Sequence, residues 1–260
     1  MKSDFSTPGF LWPLLTLICT IVILYGLNRA LKKTEWATQR RQKIFFVTTA
    51  TILTWMALLT VLSYKGFFAD FSKLPPRPVL AVLIPLPFVL IFSFSKTGTE
   101  LLQLIPAQWL VLMQPFRIFV EVLIWFAFLA NKLPVQMSFE GKNFDVLTGI
   151  LALPIGYLLI KRKTYSPKII IVFNVVGLLL LLNILIIAVL SMPTSFHYFI
   201  NEPSAVLIAQ FPFILLPGVL VPIAYSFHIF SLRQLFINKQ QPSGEPLSVT
   251  VKALTPDIKF

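Results

Sequence analysis

Long apolar runs, separated by charged or turn-forming residues, constrain this chain more than any other feature of its sequence. A helix needs about 20 mostly apolar residues to cross the hydrocarbon core of a bilayer. The sequence therefore predicts an all-α, polytopic membrane helix bundle with about seven transmembrane helices, which occupies residues 1–237. The predicted helices cover residues 9–28, 44–64, 79–95, 109–130, 144–160, 169–192 and 204–232.

Two of these runs have features that weaken a membrane-crossing helix. The run 79–95 is short and contains Pro85 and Pro87, and the run 144–160 must begin next to Asp145. For each of them, a strongly tilted or re-entrant segment is the alternative to a full crossing.

The last run, 204–232, contains Pro212, Pro217 and Pro222 at intervals of five residues. Each proline removes a backbone donor and bends the helix. The carbonyl groups that lose their donor need partners on neighbouring helices, because lipid offers none. We therefore predict that the seventh helix lies in the interior of the bundle.

Composition excludes several classes of protein. With 57% hydrophobic and 12% charged residues and a mean hydropathy of +0.82, the chain has too few polar groups to cover a water-soluble globule. The net charge of +12 comes from short clusters between apolar runs, which membrane topology explains better than nucleic-acid binding does. The single cysteine, Cys19, can form neither an internal disulfide nor a multi-cysteine metal site. We expect no cofactor and no bound metal.

The distribution of Lys and Arg predicts the orientation in the membrane, because basic flanks are retained on the cytoplasmic side. Thirteen basic residues follow helices one, three, five and seven, against six near the other side. The N-terminus should therefore face outward and the C-terminus the cytoplasm. Residues 238–260 are polar and contain prolines, so we expect a disordered cytoplasmic tail.

A polar stripe marks the fourth predicted helix, where Gln114, Arg117 and Glu121 are spaced three and four residues apart. A charge near the centre of a membrane helix costs about 2.5–3.5 kcal/mol, so the stripe should face protein or water. In one interpretation Arg117 and Glu121 form an ion pair along the helix that locks it against its neighbours. In the other, the stripe binds a polar or charged ligand.

A second polar cluster, "SFEGKNFDVLTG" at residues 138–149, precedes the fifth helix. Asn143 is placed to cap that helix, and Asp145 to meet the positive end of its dipole. Capping does not account for Glu140. Glu140 and Asp145 together can offer oxygens to a cation or to a basic partner, which is the alternative interpretation.

Four further polar residues lie within the apolar runs, namely Asn174, Asn183, Gln210 and His228. Single asparagines in membrane helices usually form hydrogen bonds between helices. His228 lies about one turn inside the cytoplasmic boundary, where a histidine can exchange protons near neutral pH. Because only one other histidine is present, a histidine-rich metal site is not expected.

Three segments, "QPFRIFVEVLIW", "MSFEGKNFDVLTG" and "VPIAYSFHIFSLRQL", together resemble a family of uncharacterised bacterial integral membrane proteins. The resemblance covers less than half of the chain, and this sequence has Ser138 and Lys142 where that family more often has threonine and arginine. It implies a bacterial inner-membrane location and no particular chemistry. It also draws attention to the candidate ligand-binding residues Arg117, Glu121, Glu140, Asn143, Asp145 and His228, to which the stripe adds Gln114.

Three function classes follow from these patterns. The first is a bundle that binds or conducts a small polar solute or ion, with the stripe of helix four lining a cavity with helices five and seven. The second is a structural or accessory subunit whose polar groups only hold helices together and which has a membrane-protein partner. The third, a membrane enzyme using Glu121 or His228 as acid or base, lacks a recognisable nucleophile or metal motif.

Overall fold

The computed structural model describes residues 9–161, 167–200 and 202–239 of the 260-residue chain. Within these residues the regular secondary structure is entirely helical, with no strand. The α-helices are, in chain order, α1 (Leu11–Lys32), α2 (Thr38–Tyr64), α3 (Arg77–Leu83), α4 (Pro85–Phe94), α5 (Lys96–Leu104), α6 (Ala107–Leu112), α7 (Phe116–Leu129), α8 (Val146–Lys161), α9 (Pro167–Leu190) and α10 (Val221–Lys239).

Six segments of the described residues are long and apolar enough to cross a membrane. The predicted fifth helix is present as α8, but its 16 residues span only about 24 Å, less than the hydrocarbon thickness of about 30 Å. The six segments are Leu11–Lys32, Thr38–Tyr64, Arg77–Phe94, Ala107–Leu129, Pro167–Leu190 and Leu216–Ile237.

Prolines divide two of these segments. Pro85 begins α4 directly after α3, at the first helical position, where its missing N–H is not needed. Pro115 lies between α6 and α7, and the turn there is closed by the Arg117 N–H, which donates to the carbonyl of Gln114 at 3.0 Å. As a result, Arg117 lies in the first turn of α7, near the midpoint of the segment Ala107–Leu129.

The predicted start of the seventh helix at residue 204 is wrong. Residues Ala205–Ala209 form a 3₁₀ turn, and regular α-helix begins only at Val221 after a π-helical turn at Leu216–Leu220. The physical reason is the proline spacing, since Pro222 cannot donate to the carbonyl of Gly218. The indole N–H of Trp55 on α2 donates to that carbonyl instead, at 2.8 Å, as expected for a bundle in lipid.

The seventh helix occupies the interior of the bundle, as its prolines predict. Helix α10 packs against α4, α5, α6 and α9. In an 18-residue apolar stretch of Leu216–Ile237, 56% of the residues are buried, compared with 6% in the corresponding stretch of Thr38–Tyr64.

Residues that the sequence assigns to the same side of the membrane contact one another. On the predicted cytoplasmic side, Trp36 donates to Glu100 Oε2 at 2.6 Å, and Gln234 donates to the carbonyl of Leu102 at 2.5 Å. On the predicted outer side, Ser63 donates to the carbonyl of Ala209 at 2.9 Å. Helix α10 continues to Lys239, and the rest of the predicted tail lies outside the described residues.

Candidate functional site

A buried ion pair joins α7 to the residue that precedes α8. Arg117 is 1% exposed, and its Nε donates to Asp145 Oδ2 at 2.7 Å while Nη2 donates to Asp145 Oδ1. This bidentate geometry is the strongest form of pairing between a guanidinium and a carboxylate. It satisfies both charges where lipid and water offer no alternative partner.

His228 on α10 contacts the same guanidinium, with Nε2 at 3.0 Å from Arg117 Nη1. Arginine has no acceptor, so Nε2 must accept and the imidazole is neutral with its proton on Nδ1. Nδ1 then donates to Asn174 Oδ1 at 2.8 Å, and the Asn174 amide nitrogen donates to Ser231 Oγ at 2.8 Å. A continuous hydrogen-bonded chain therefore links α7, α10 and α9.

Gly177 allows α9 to approach this chain closely. A Cβ atom at this position would overlap the imidazole of His228. The carbonyl of Gly177 also accepts from Arg117 Nη2 at 3.4 Å. Any larger residue here would displace the histidine from the guanidinium.

Glu121 does not form the predicted ion pair with Arg117. No salt bridge joins the two among the described residues, and Glu121 Oε2 instead accepts from Asn143 Nδ2 at 2.6 Å. The guanidinium points across to Asp145, which supplies two acceptor oxygens in one plane. Helical spacing alone does not reveal this partner, since Asp145 is 28 residues away in the chain.

Asn143 holds the two carboxylates in place. Its Oδ1 accepts from the backbone N–H of Asp145 at 3.0 Å, and its Nδ2 donates to Met137 O as well as to Glu121. Because α8 begins at Val146, the bond to Asp145 shapes the turn before the helix.

The remaining predicted residues lie apart from this network. Glu140 is exposed and accepts from the indole N–H of Trp125 at 2.5 Å, so it does not join Asp145. Gln114 is buried and donates to the carbonyl of Ala224 on α10 at 3.1 Å. Gln114 therefore ties α10 to the turn before α7.

Of the other polar residues in the apolar runs, only Asn174 and His228 are buried in the network. Asn183 is half-buried and donates to the carbonyl of Lys142 at 2.9 Å, and Gln210 is exposed in a turn. The prediction that Gln210 is a buried helical residue is wrong, because the chain before Leu216 is not regular helix.

Sequence reasoning missed two members of the network, Ser231 and Gly177. Ser231 lies three residues after His228 on α10, and Gly177 lies three residues after Asn174 on α9. Residues three apart share a helix face, so this spacing was a usable signal.

A cavity of about 360 Å³ adjoins the charged residues. It lies between α3, α7, α9 and α10, so the predicted role of helix five is limited to Asp145 at its start. The lining is apolar except for Arg117, Glu121 and Asp145. Three exposed apolar residues, Leu83, Leu182 and Ile186, also line the cavity, which indicates an opening toward lipid.

The fold and this network define a class, a multi-pass helical membrane protein with a buried charged cluster beside an apolar cavity. The chain belongs to the family described as "Domain of unknown function (DUF8737)", whose family model matches residues 76–236. No curated protein and no solved structure matches the chain. The matched residues include the whole network and cavity and leave out α1 and α2.

Proposed function

We propose that this protein binds a small amphiphilic molecule in the cavity between α3, α7, α9 and α10. The observation that carries the proposal is the position of three buried charged side chains, Arg117, Glu121 and Asp145, on the wall of an otherwise apolar cavity. Such a surface matches a molecule with one polar end and an apolar body. The sequence-based hypothesis of a polar solute or ion is refined accordingly.

The cost of placing charges within a membrane helix favours a ligand-binding site over a purely structural contact between helices. Each charge at the centre of a membrane helix costs about 2.5–3.5 kcal/mol on insertion scales. Neutral side chains already join helices here, as Asn174 does by donating to Ser231. Helix association alone therefore does not require Arg117 and Glu121 on α7.

The size and opening of the cavity suit a small molecule that arrives through the bilayer. Ligand sites usually measure about 300–1,000 Å³, and this cavity of about 360 Å³ lies at the lower end of that range. Its lining includes the lipid-facing residues Leu182 on α9 and Leu83 on α3.

The proposal can be tested by filling the cavity from α9. Ala188 lines the cavity and is half-buried, so Ala188→Phe would occupy the space. Ala57 on α2 is exposed, which makes Ala57→Phe a matched control. After extraction with the surrounding lipid in a polymer disc, native mass spectrometry should detect a bound small molecule in the wild type and in Ala57→Phe, but not in Ala188→Phe. Equal occupancy in all three proteins, or none in the wild type, would contradict the proposal.

A structural or accessory role is the second candidate, favoured by the way Arg117 is paired. Its guanidinium donates to Asp145, His228 and Gly177, all within the protein. If the network only holds helices together, variants that keep the fold should also keep full function. Co-purification of a stoichiometric membrane partner, lost when α7 is altered, would support this role instead.

We also propose that the end of the bundle carrying Trp36, Glu100 and Gln234 faces the cytoplasm, since the basic connections lie there. A reporter that is active only outside the cytoplasm should give signal when fused after Leu133 and none when fused after Lys163. The reverse pattern would overturn the orientation.

A further inference from the structure

The cavity lining holds more carboxyl groups than basic groups. Glu121 and Asp145 supply two carboxylates, and Arg117 is the only basic residue in the lining. His228 is neutral, because its Nε2 accepts from Arg117. Lys142 is next to Asn143 in the chain, but it is exposed and does not line the cavity.

Glu121 is the carboxylate that lacks a countercharge. Asp145 takes both of its oxygens to the guanidinium of Arg117, whereas Glu121 accepts only a neutral amide, at Oε2. Glu121 is 1% exposed and lines the cavity, and the described residues give its Oε1 no hydrogen-bond donor. In such surroundings a carboxyl group takes up a proton unless a cation reaches it, so an ammonium group bound there would hold Glu121 in its ionised form.

We infer that the molecule bound in this cavity carries a protonated amine, which pairs with Glu121 while its apolar part occupies the remaining space. The inference rests on the proposed function. An amine with an N–H group fits better than a quaternary ammonium, because the free group on the protein is a hydrogen-bond acceptor. Phe116 is the only aromatic residue in the lining, so the site lacks the aromatic cage that binds quaternary ammonium groups.

The apolar body of the ligand follows from the rest of the lining. Leucine, isoleucine and valine side chains from α3, α9 and the π-helical turn before α10 line much of the cavity, among them Val82, Leu185 and Leu220. These side chains offer no hydrogen bond to a sugar or a polyol. The ligand class is therefore an alkyl amine or a similarly small cationic amphiphile.

The test compares three probes of equal chain length and different charge, namely octylamine, octanol and octanoate. The full-length protein is placed in nanodiscs of phosphatidylcholine, and its thermal unfolding is followed as each probe is added, because a ligand that binds the folded state raises the midpoint. We expect octylamine to bind the wild type at least tenfold more tightly than octanol does, and octanoate to bind least.

Two variants locate the effect. Glu121→Gln should weaken octylamine binding at least tenfold and leave octanol binding unchanged. Glu140→Gln is the matched control, because Glu140 is an exposed carboxylate outside the cavity, and it should bind octylamine as the wild type does.

The outcomes separate this inference from the proposed function. If octanol binds the wild type as tightly as octylamine, the amine assignment is wrong although the cavity still binds amphiphiles. If no probe binds and native mass spectrometry finds no bound molecule, the proposed function fails as well. Should Glu121→Gln not fold, the comparison of octylamine with octanol on the wild type still decides the question.

Discussion

The threonines of the first two helices and the charged cluster of the remaining bundle satisfy their polar groups in different ways. In α1 and α2, Thr16 and Thr60 donate to the carbonyl four residues earlier in their own helix. In the remaining bundle, Arg117 binds Asp145 and His228, which are 28 and 111 positions away in the chain. These threonines therefore need only their own helix, whereas the charged cluster needs the assembled fold.

The same division appears in burial and in family membership. The family match begins at residue 76, after α2 has ended. Only 6% of the residues in the apolar stretch of Thr38–Tyr64 are buried, compared with 56% in that of Ala107–Leu129. The charged cluster therefore belongs to the part of the chain that the family model matches. Helices α1 and α2 lie outside the match, and α2 mainly faces lipid.

Breaking the ion pair of the second region should have the largest effect. Asp145→Asn leaves Arg117 charged and buried, so we expect the free energy of unfolding to fall by about 3–5 kcal/mol. Thr16→Val, which removes a bond within α1, should cost about 1 kcal/mol or less. Denaturant unfolding in detergent would measure both variants, and similar losses would erase the distinction between the two regions.

The double variant Arg117→Gln with Asp145→Asn sharpens this comparison. Because it removes both buried charges, it should recover much of the stability lost in Asp145→Asn alone. Additive losses from the two single changes would mean that the residues act independently.

Adding one methyl group in each region should change the stability of the protein in opposite directions. Gly177→Ala would overlap the His228 ring, and overpacking of this kind costs about 1–3 kcal/mol. Gly26→Ala on α1 would place a Cβ 3.5 Å from Trp109, an ordinary contact, so it should be neutral or gain up to about 1 kcal/mol. Thermal unfolding of the two variants side by side would check this, and equal shifts would argue against a tight approach at Gly177.

Removing a single hydrogen-bond donor should weaken the contact between the two regions. Trp55→Phe removes the N–H that serves the carbonyl of Gly218, and an unpaired buried carbonyl costs about 1–3 kcal/mol. Trp125→Phe is a suitable control, because Trp125 donates to the exposed Glu140. Unchanged unfolding of Trp55→Phe would show that Gly218 finds another partner.

The smallest effect is expected at the exposed pair of Asp70 and Arg77, which lies between the two regions. Hydrogen bonds from Ser72 and the charge of Arg77 hold the pKa of Asp70 below its ordinary value. The stabilisation is therefore present above the pKa of the unfolded chain and lost as pH falls through the lower pKa of the folded state. Asp70→Asn should unfold slightly earlier than the wild type at about pH 7 and together with it once the pH lies below the pKa of the folded state. A difference that grows on acidification would contradict this assignment.

The sequence predicted an all-helical membrane bundle and the burial of the polar stripe. Both depend on local properties, namely the length of each apolar run and the cost of placing a charge in lipid. The proline spacing in 204–232 also predicted an interior helix, which the burial of Leu216–Ile237 confirms. It did not predict where that helix begins, because the turn before α10 depends on Trp55 of another helix serving Gly218.

The partners within the charged cluster were decided by tertiary structure. Spacing on one helix suggested that Arg117 pairs with Glu121, and it named Asp145 and His228 only as separate candidates. Which acceptor a guanidinium reaches depends on how helices are rotated and how closely they approach, and here the close approach of α9 depends on Gly177. A sequence specifies which residues cannot face lipid, but their partners are fixed only when the helices pack, since hydrogen bonds need distances near 3 Å that spacing along a chain does not define.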